Sequence, residues 1–477
     1  MRNNKPTQTP RANTDSLLLL IRGKSPMTLR QQLHLTVLLS IPAIVAQFSS
    51  IAMQYIDASM VGSLGAEASA SIGLVSTSTW LFSGLCSAAA TGFSVQVAHA
   101  IGANDPERAK SVLRQAFMAI GMFSLLLAAT GTSISGVLPS WLGGDPSIRH
   151  DASLYFLIYA LSLPALQFHI LGSGMLRCSG NMKVPSILNV MMCVQDVIYN
   201  FFFIFPSREI STFGIDFWVP GAGLGVVGAA LGTMLAEVVT AILMITYLCT
   251  RSSALKLTGT HGHFRPTRNT IRQAAAIGFP MGVEHALICG AQIMTTVIVA
   301  PLGIFAIAAN SFAITAESLC YMPGYGIAEA ATTLTGQSLG AGRKELALRF
   351  ARITVWLGMA VMGLMGVVMY VGAPQIIGVM TPVEEIRSLG IMALRIEAFA
   401  EPMFAAAIIA YGVFVGAGRT LVPSLMNLFS IWAVRLTMAA AMAPSMGLKG
   451  VWLAMCIELC FRGCIFLIRL ERKKWMK

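Results

Sequence analysis

Gly180-Asn181-Met182-Lys183-Val184-Pro185-Ser186-Ile187-Leu188-Asn189 and Gly418-Arg419-Thr420-Leu421-Val422-Pro423-Ser424-Leu425-Met426-Asn427 carry one pattern twice. Glycine, Val-Pro-Ser and asparagine recur in the same register, at the offset that separates Gly180 from Gly418. That offset holds upstream without a gap. Pro42 falls on Pro280, Gln54 on Gln292, Leu64-Gly65 on Leu302-Gly303, Gly102-Ala103 on Gly340-Ala341, and Pro164 on Pro402. Downstream, the first half has extra residues in its Ser207–Gly221 loop. The offset shortens past that loop, and Gly225 and Gly228 fall on Gly447 and Gly450. A register kept over this length marks an internal duplication.

Composition says what was duplicated. Of 477 residues, 55% are apolar and 11% are charged, against about 25% charged in soluble domains. So much apolar surface must face lipid. A hydrocarbon core about 30 Å thick takes roughly 20 apolar residues per helix. Spans are read near 36–61, 72–98, 115–138, 152–174, 184–206 and 225–248 in the first half. In the second they are read near 274–300, 306–334, 353–375, 388–414, 421–443 and 450–468. The predicted fold is therefore an all-α integral membrane protein of twelve transmembrane helices, arranged as two parallel-repeat six-helix bundles. Six is even, so both copies begin on the same side, a plan shared by several secondary transporters. The expected parts are an N-terminal arm (1–34), an N-lobe of helices 1–6 (35–250), an inter-lobe linker (251–273), a C-lobe of helices 7–12 (274–469) and a tail (470–477). The apolar run Leu17 to Ile21 is too short for a signal peptide, and no small-residue cleavage site follows it.

Positive charge sets the expected orientation. With a cytoplasmic N-terminus, 26 of the Lys and Arg residues fall in the arm, the even-numbered loops and the tail, and only Arg149, Arg208, Arg387 and Lys449 fall outside. Arg2, Lys5, Arg11 and Lys477 are among the 26. Such alternation predicts a multi-pass protein of the plasma (inner) membrane with both termini cytoplasmic. It also accounts for the net charge of +12 without invoking nucleic acid. Cys456, Cys460 and Cys464 recur every four residues. Along an apolar helix this reads as buried small residues rather than a metal site, and no metal is expected.

Four stretches resemble the multidrug and toxic compound extrusion (MATE) family. Tyr55-Ile-Asp57-Ala-Ser-Met-Val-Gly62 is similar to the end of its first helix. Gly172-Ser-Gly-Met-Leu-Arg177-Cys-Ser-Gly180-Asn181-Met-Lys183-Val-Pro185 resembles its loop after the fourth helix. Gly278-Phe-Pro280-Met-Gly-Val-Glu284 and Gly336-Gln337-Ser-Leu-Gly340-Ala-Gly342 resemble its seventh helix and a further glycine-rich stretch. The likeness covers the chain from about residue 28 onward. It implies an ion-driven antiporter with H+ or Na+ as coupling ion and no other cofactor. No paired His/Asp/Ser or metal-ligand constellation appears in the sequence, so no enzymatic activity is expected. There are departures. Asn181 stands where the family has Asp, and Asp196 and Asn200 stand where the family has Asn and then an acid.

Ionisable groups inside a span are costly and mark pathways. Asp57, Asp196, Glu237, Glu284, Glu317, Glu329, Glu397, Glu401 and Glu458 face only Arg395, Arg435 and Arg462 in number. A cavity with that bias draws cations. Asp57 is the first candidate for ion or proton coupling, with Asp196, Asn189 and Asn200, which recur at helical spacing on one face of the fifth helix. The bland alternative is interhelical hydrogen bonding. The resemblance implies a cation contact at Glu284. Gln54, one turn before Asp57, and its repeat mate Gln292 are read as further substrate contacts. Glu397 and Glu401, with Arg395 close in sequence, are read as a buried ion-pair cluster.

No Gly-x-x-x-x-Gly-Lys-Ser/Thr loop occurs, so an ion gradient must drive any uphill transport. The expected activity is export of small organic cations or drugs by a monomer, with two lobes alternating access. The alternatives are a lipid-linked oligosaccharide flippase, which should line its cavity with Arg or Lys, and a channel or receptor.

Overall fold

The computed structural model describes residues 13–212, 215–259 and 262–476. Arg2, Lys5, Arg11 and Lys477, counted above for orientation, lie outside the described residues. The first half contains α1 (Thr14–Arg22), α2 (Leu29–Gly62), α3 (Ala66–Gly102), α4 (Pro106–Ile134), the short α5 (Leu138–Trp141), α6 (Pro146–Cys178), α7 (Lys183–Ile204) and α8 (Gly225–Thr250). The second contains α9 (Arg268–Val299), α10 (Ile304–Gly340), α11 (Lys344–Met380), α12 (Glu384–Glu397), α13 (Glu401–Gly416), α14 (Leu421–Phe429), α15 (Thr437–Met446) and α16 (Leu448–Glu471). Among the described residues eleven helical spans are long and apolar enough to cross a membrane, with α14 and α15 counted as one. They become twelve when α12 and α13, bent by 59° at their junction, count as one span.

The duplication is visible in the backbone. α10 begins at Ile304 and ends at Gly340, the repeat mates of Ala66 and Gly102, which bound α3. α11 begins at Lys344, the mate of Pro106 at the start of α4. Gly65 and Gly303, which open α3 and α10, take φ of 121° and 102°. A side chain is strained there, which explains why glycine is kept at both turns.

The copies diverge in three places. Ser207–Gly221, expected as a loop, lies in an antiparallel hairpin of β1 (Pro206–Thr212) and β2 (Ile215–Ala222). Ile215, Phe217, Trp218 and Val219 give the hairpin its strand-forming residues. Near Pro402, which lies at the start of α13, the chain bends, whereas its mate Pro164 lies inside an unbroken α6. Between α14 and α15 the chain makes a π-helical turn, Ser430–Leu436; the matching stretch of α7 is a regular helix.

At the end that carries α1, the halves are tightly joined. Gly102 and Gly340, repeat mates, let α3 and α10 cross backbone to backbone. A Cβ on Gly340 would lie 2.8 Å from the His99 carbonyl carbon. Gly340→Val is therefore expected to cost about 1–3 kcal/mol through overpacking, read as a lower melting temperature of the purified protein. Gly73→Ala on α3 meets nothing within 4 Å and should leave the melting temperature unchanged.

The N-terminal arm is not a plain tail. Asn13 caps α1 by accepting from Thr14 N–H at 2.9 Å. The helix buries Leu17, Leu18 and Ile21 against Leu35 and Met182 of the first half and Leu334 and Phe350 of the second. Arg22 donates to the Ser179 carbonyl at 3.0 Å and to Gln337 Oε1 at 3.4 Å. Arg343 donates to the Leu20 carbonyl at 3.0 Å. A run too short to span a membrane thus seals the seam between the halves.

Candidate functional site

Between the halves lies a cavity of about 720 Å³. α2, α3, α6, α7 and α8 supply one wall, and α9, α10, α13, α14 and α16 the other. Its floor is an ion pair across the seam. Arg177, from the end of α6, pairs with Glu329 of α10, and Gln47 of α2 donates to the same carboxylate at 3.2 Å.

On the second-half wall, Glu284 is buried. Tyr411 O–H donates to its Oε2 and Asn427 Nδ2 to its Oε1, each at 2.6 Å. Both partners are neutral. Arg462 also lines the cavity, but its guanidinium lies 3.0 Å from Glu458. On the opposite wall His169 Nδ1 pairs with Glu237, and Nε2 meets Asn189 Oδ1 at 2.8 Å. Asn189 and Asn427 are repeat mates, so the duplication supplies one asparagine per wall, and each holds an ionisable partner that the other half lacks.

Asp57, Asp196 and Asn200 come together inside the first half, and none of the three is among the residues that line this cavity. Asn200 Nδ2 donates to Asp57 Oδ1 at 2.9 Å and to Asp196 Oδ2 at 3.2 Å. Asp196 Oδ1 and Asn200 Oδ1 are buried and have no hydrogen-bond partner among the described residues. One amide bridging two carboxyl groups, with two oxygens left over, suits a proton or a small cation. The swapped order of Asp196 and Asn200 does not scatter the group, since Asn200 bridges both acids.

Four sequence expectations need correction. Asn189 shares the face of α7 with Asp196, but it bonds His169 in the cavity wall and stands apart from Asp57. Gln54 and Gln292 are exposed and are not among the cavity-lining residues. Arg395 does not pair with Glu397 or Glu401. It donates to the Tyr370 carbonyl at 3.4 Å and stacks on that ring. Glu397 and Glu401 flank the α12–α13 bend, fully buried, with both carboxylate oxygens of each unpartnered among the described residues. The ion pairs of this region are instead those of Glu458 with Arg435 and Arg462. The three cysteines of α16 are also less buried than expected, with Cys464 exposed.

Sequence reasoning missed His169, Arg177 and Tyr411, and did not rank Glu237 or Glu329. A histidine in a span is an intramembrane ionisable group like any acid, so His169 was open to the same test.

The family model MatE matches residues 42–202 and again residues 280–440. The second match begins at Pro280, the repeat mate of Pro42, and the two together cover more than half of the chain. The chain belongs to the MatE family. This MatE protein is 26% identical over 444 residues to the probable multidrug resistance protein NorM of Thermotoga maritima, with 92% of each chain covered. It is 22% identical to the probable multidrug resistance protein YoeA of Bacillus subtilis, covering 76% of each. Among solved structures it superposes on a MATE protein in the straight conformation with a TM-score of 0.85 at 20% identity, covering 98% of this chain and 100% of the other. A mutant of the Vibrio cholerae MATE transporter VcmN gives 0.82 at 18% identity, with 96% and 97% covered. At these identities the structures establish the fold. The expected all-α, two-repeat membrane architecture is confirmed, and the MatE protein is a transporter, not an enzyme.

Proposed function

We propose that this protein is a multidrug efflux antiporter that exports small organic cations against entry of H+ or Na+. The observation that carries the substrate class is Glu284. It is a buried carboxylate on the cavity wall whose hydrogen-bond partners are neutral, whereas Glu329 and Glu237 each face a basic group. Arg462, the cation that acts on it, is paired with Glu458, so a monovalent organic cation supplies a direct partner in a site of low dielectric where such pairing counts most. The names of the NorM and YoeA relatives support the drug-export part of the reading.

The Asp57–Asp196–Asn200 group is the coupling site in this reading. Two facing carboxylates repel, and a proton or small cation between them relieves the repulsion. Lobes bounded at 35–250 and 274–469, joined by the 251–273 linker, rock about the cavity. The Arg177–Glu329 pair and α1 close the side that charge distribution assigns to the cytoplasm of an inner-membrane protein. Exchange of one monovalent drug for one coupling ion moves no net charge, so the concentration gradient of the ion drives it, at about 1.4 kcal/mol for each tenfold of gradient.

Uptake of ethidium into proteoliposomes, with an H+ or a Na+ gradient imposed separately, tests the reading. Accumulation under one gradient is expected, and no accumulation under either would overturn it. Glu284→Gln keeps the shape and removes the charge, and should weaken ethidium binding at least about tenfold, or about 1.4 kcal/mol.

A further inference from the structure

We propose that His169, Glu237 and Asn189 form a second proton-exchange site, set in the cavity wall, which gives up a proton when a cation occupies the cavity. The proposal rests on the cation-export reading above.

The geometry is that of a group able to exist in two protonation states without losing a hydrogen bond. With Glu237 ionised, Nδ1–H of His169 donates to its carboxylate. With Asn189 presenting Oδ1, Nε2–H donates as well. A ring that donates from both nitrogens is an imidazolium. When Nε2 loses its proton, Asn189 turns its amide and donates to the bare nitrogen instead. The protonated pair is neutral overall, and the deprotonated pair carries one negative charge. All three residues line the cavity, so that charge is offered where a cation would sit. Entry of a monovalent cation and loss of one proton leave the net charge unchanged.

The surroundings distinguish this group from a static buried pair. Facing charged and titratable groups are Arg177 and Tyr159 from α6 itself and Asp196 from α7. Cys86 of α3 lies beside Tyr159. Glu284 of α9 and Glu329 of α10 line the same cavity from the second half. α4 also packs on α6 but contributes no cavity residue. Arg177, which acts on the histidine, is held by Glu329 and so is tied to the seam between the halves. Opening that seam would free Arg177, and a free cation beside the ring favours proton loss. The same lobe motion that changes access would then reset the pair.

The test is histidine NMR on the full chain in lipid nanodiscs, with ¹⁵N-labelled imidazole rings. The protein has seven histidines, and the His169 signal is assigned by its loss in His169→Asn or, should that variant not fold, His169→Gln. Expected are a change of protonation state between about pH 5 and pH 9, a midpoint that moves in Glu237→Gln, and a midpoint that moves when saturating tetraphenylphosphonium is added. In parallel, tetraphenylphosphonium affinity of the wild type should rise with pH, up to about tenfold per unit for each proton exchanged for one cation. His169→Asn should flatten part of that rise. A His169 ring that keeps one protonation state over the whole range overturns the proposal, as does a pH profile of binding unchanged by either His169 substitution. If the wild type binds no tetraphenylphosphonium, the cation-export reading falls, and the histidine titration still decides whether the site exchanges protons.

Discussion

Asp57→Asn should abolish gradient-driven efflux, by at least about 100-fold in initial rate, while the protein still folds, inserts and binds substrate. The amide has the size of the carboxyl and keeps an oxygen for Asn200 Nδ2, now 2.9 Å from Asp57 Oδ1. What it loses is the ability to gain and release a proton or to share a cation with Asp196. A loss of this kind, about 2.7 kcal/mol or more on the rate, is larger than removal of one ordinary hydrogen bond explains. Because none of the three residues lines the cavity, ethidium binding should change little. The two measurements together discriminate. Full transport in Asp57→Asn removes Asp57 from coupling, and lost binding with lost transport makes it a structural or substrate residue instead.

Glu458→Ala should give the largest loss of stability of any single substitution considered. Glu458 is fully buried in α16. Arg435, from the π-helical turn, donates to it at 2.9 and 2.6 Å, Ser430 O–H donates to its other oxygen, and Arg462 lies 3.0 Å away. Removing the acid leaves two guanidinium groups without their counter-charge in the interior, a change that typically costs about 3–5 kcal/mol. The expected readout is a sharply lower melting temperature in detergent, with little protein recovered from the membrane. Glu458→Gln retains acceptors for Ser430 and one guanidinium, and should fall between the wild type and Glu458→Ala. An Ala variant as stable as the wild type would mean that Arg435 and Arg462 find other partners, with Glu317 and Glu397, which face Arg435, the first to examine.

The Glu458 network also shows where sequence reasoning stops. Arg395, Arg435 and Arg462 are three comparable arginines within spans. Sequence proximity suggests that Arg395 pairs with Glu397 and Glu401. The ion pairs formed instead join Glu458 to Arg435, 23 positions earlier, and to Arg462, one helical turn on. The one-turn pair is legible from helical spacing. The other depends on the π-helical turn, which no repeat or hydropathy pattern announces, since its mate in α7 is regular. The hairpin of β1 and β2 is likewise visible in the sequence only as a length difference between copies. Asn189 illustrates a subtler failure. Its helical face is legible, but a face of α7 runs the length of the helix. Asn189 meets His169 of α6 in the cavity wall, while Asn200, about three turns on, reaches Asp57 of α2.

By itself the sequence determined the membrane class, the duplication, the helix ends that obey it and the list of costly intramembrane acids. Each of these is a one-dimensional property. Hydrocarbon thickness fixes span length, glycine marks turns that other residues strain to adopt, and a buried charge is expensive whatever its neighbours. Only the tertiary structure decided which of those acids are compensated. Glu237 meets His169 across 68 residues, Glu329 meets Arg177 across 152, and Glu284 meets neutral Tyr411 and Asn427 from 127 and 143 away. The energy of a charge in a low-dielectric interior is set by groups within a few ångströms, and sequence separation carries no measure of that distance.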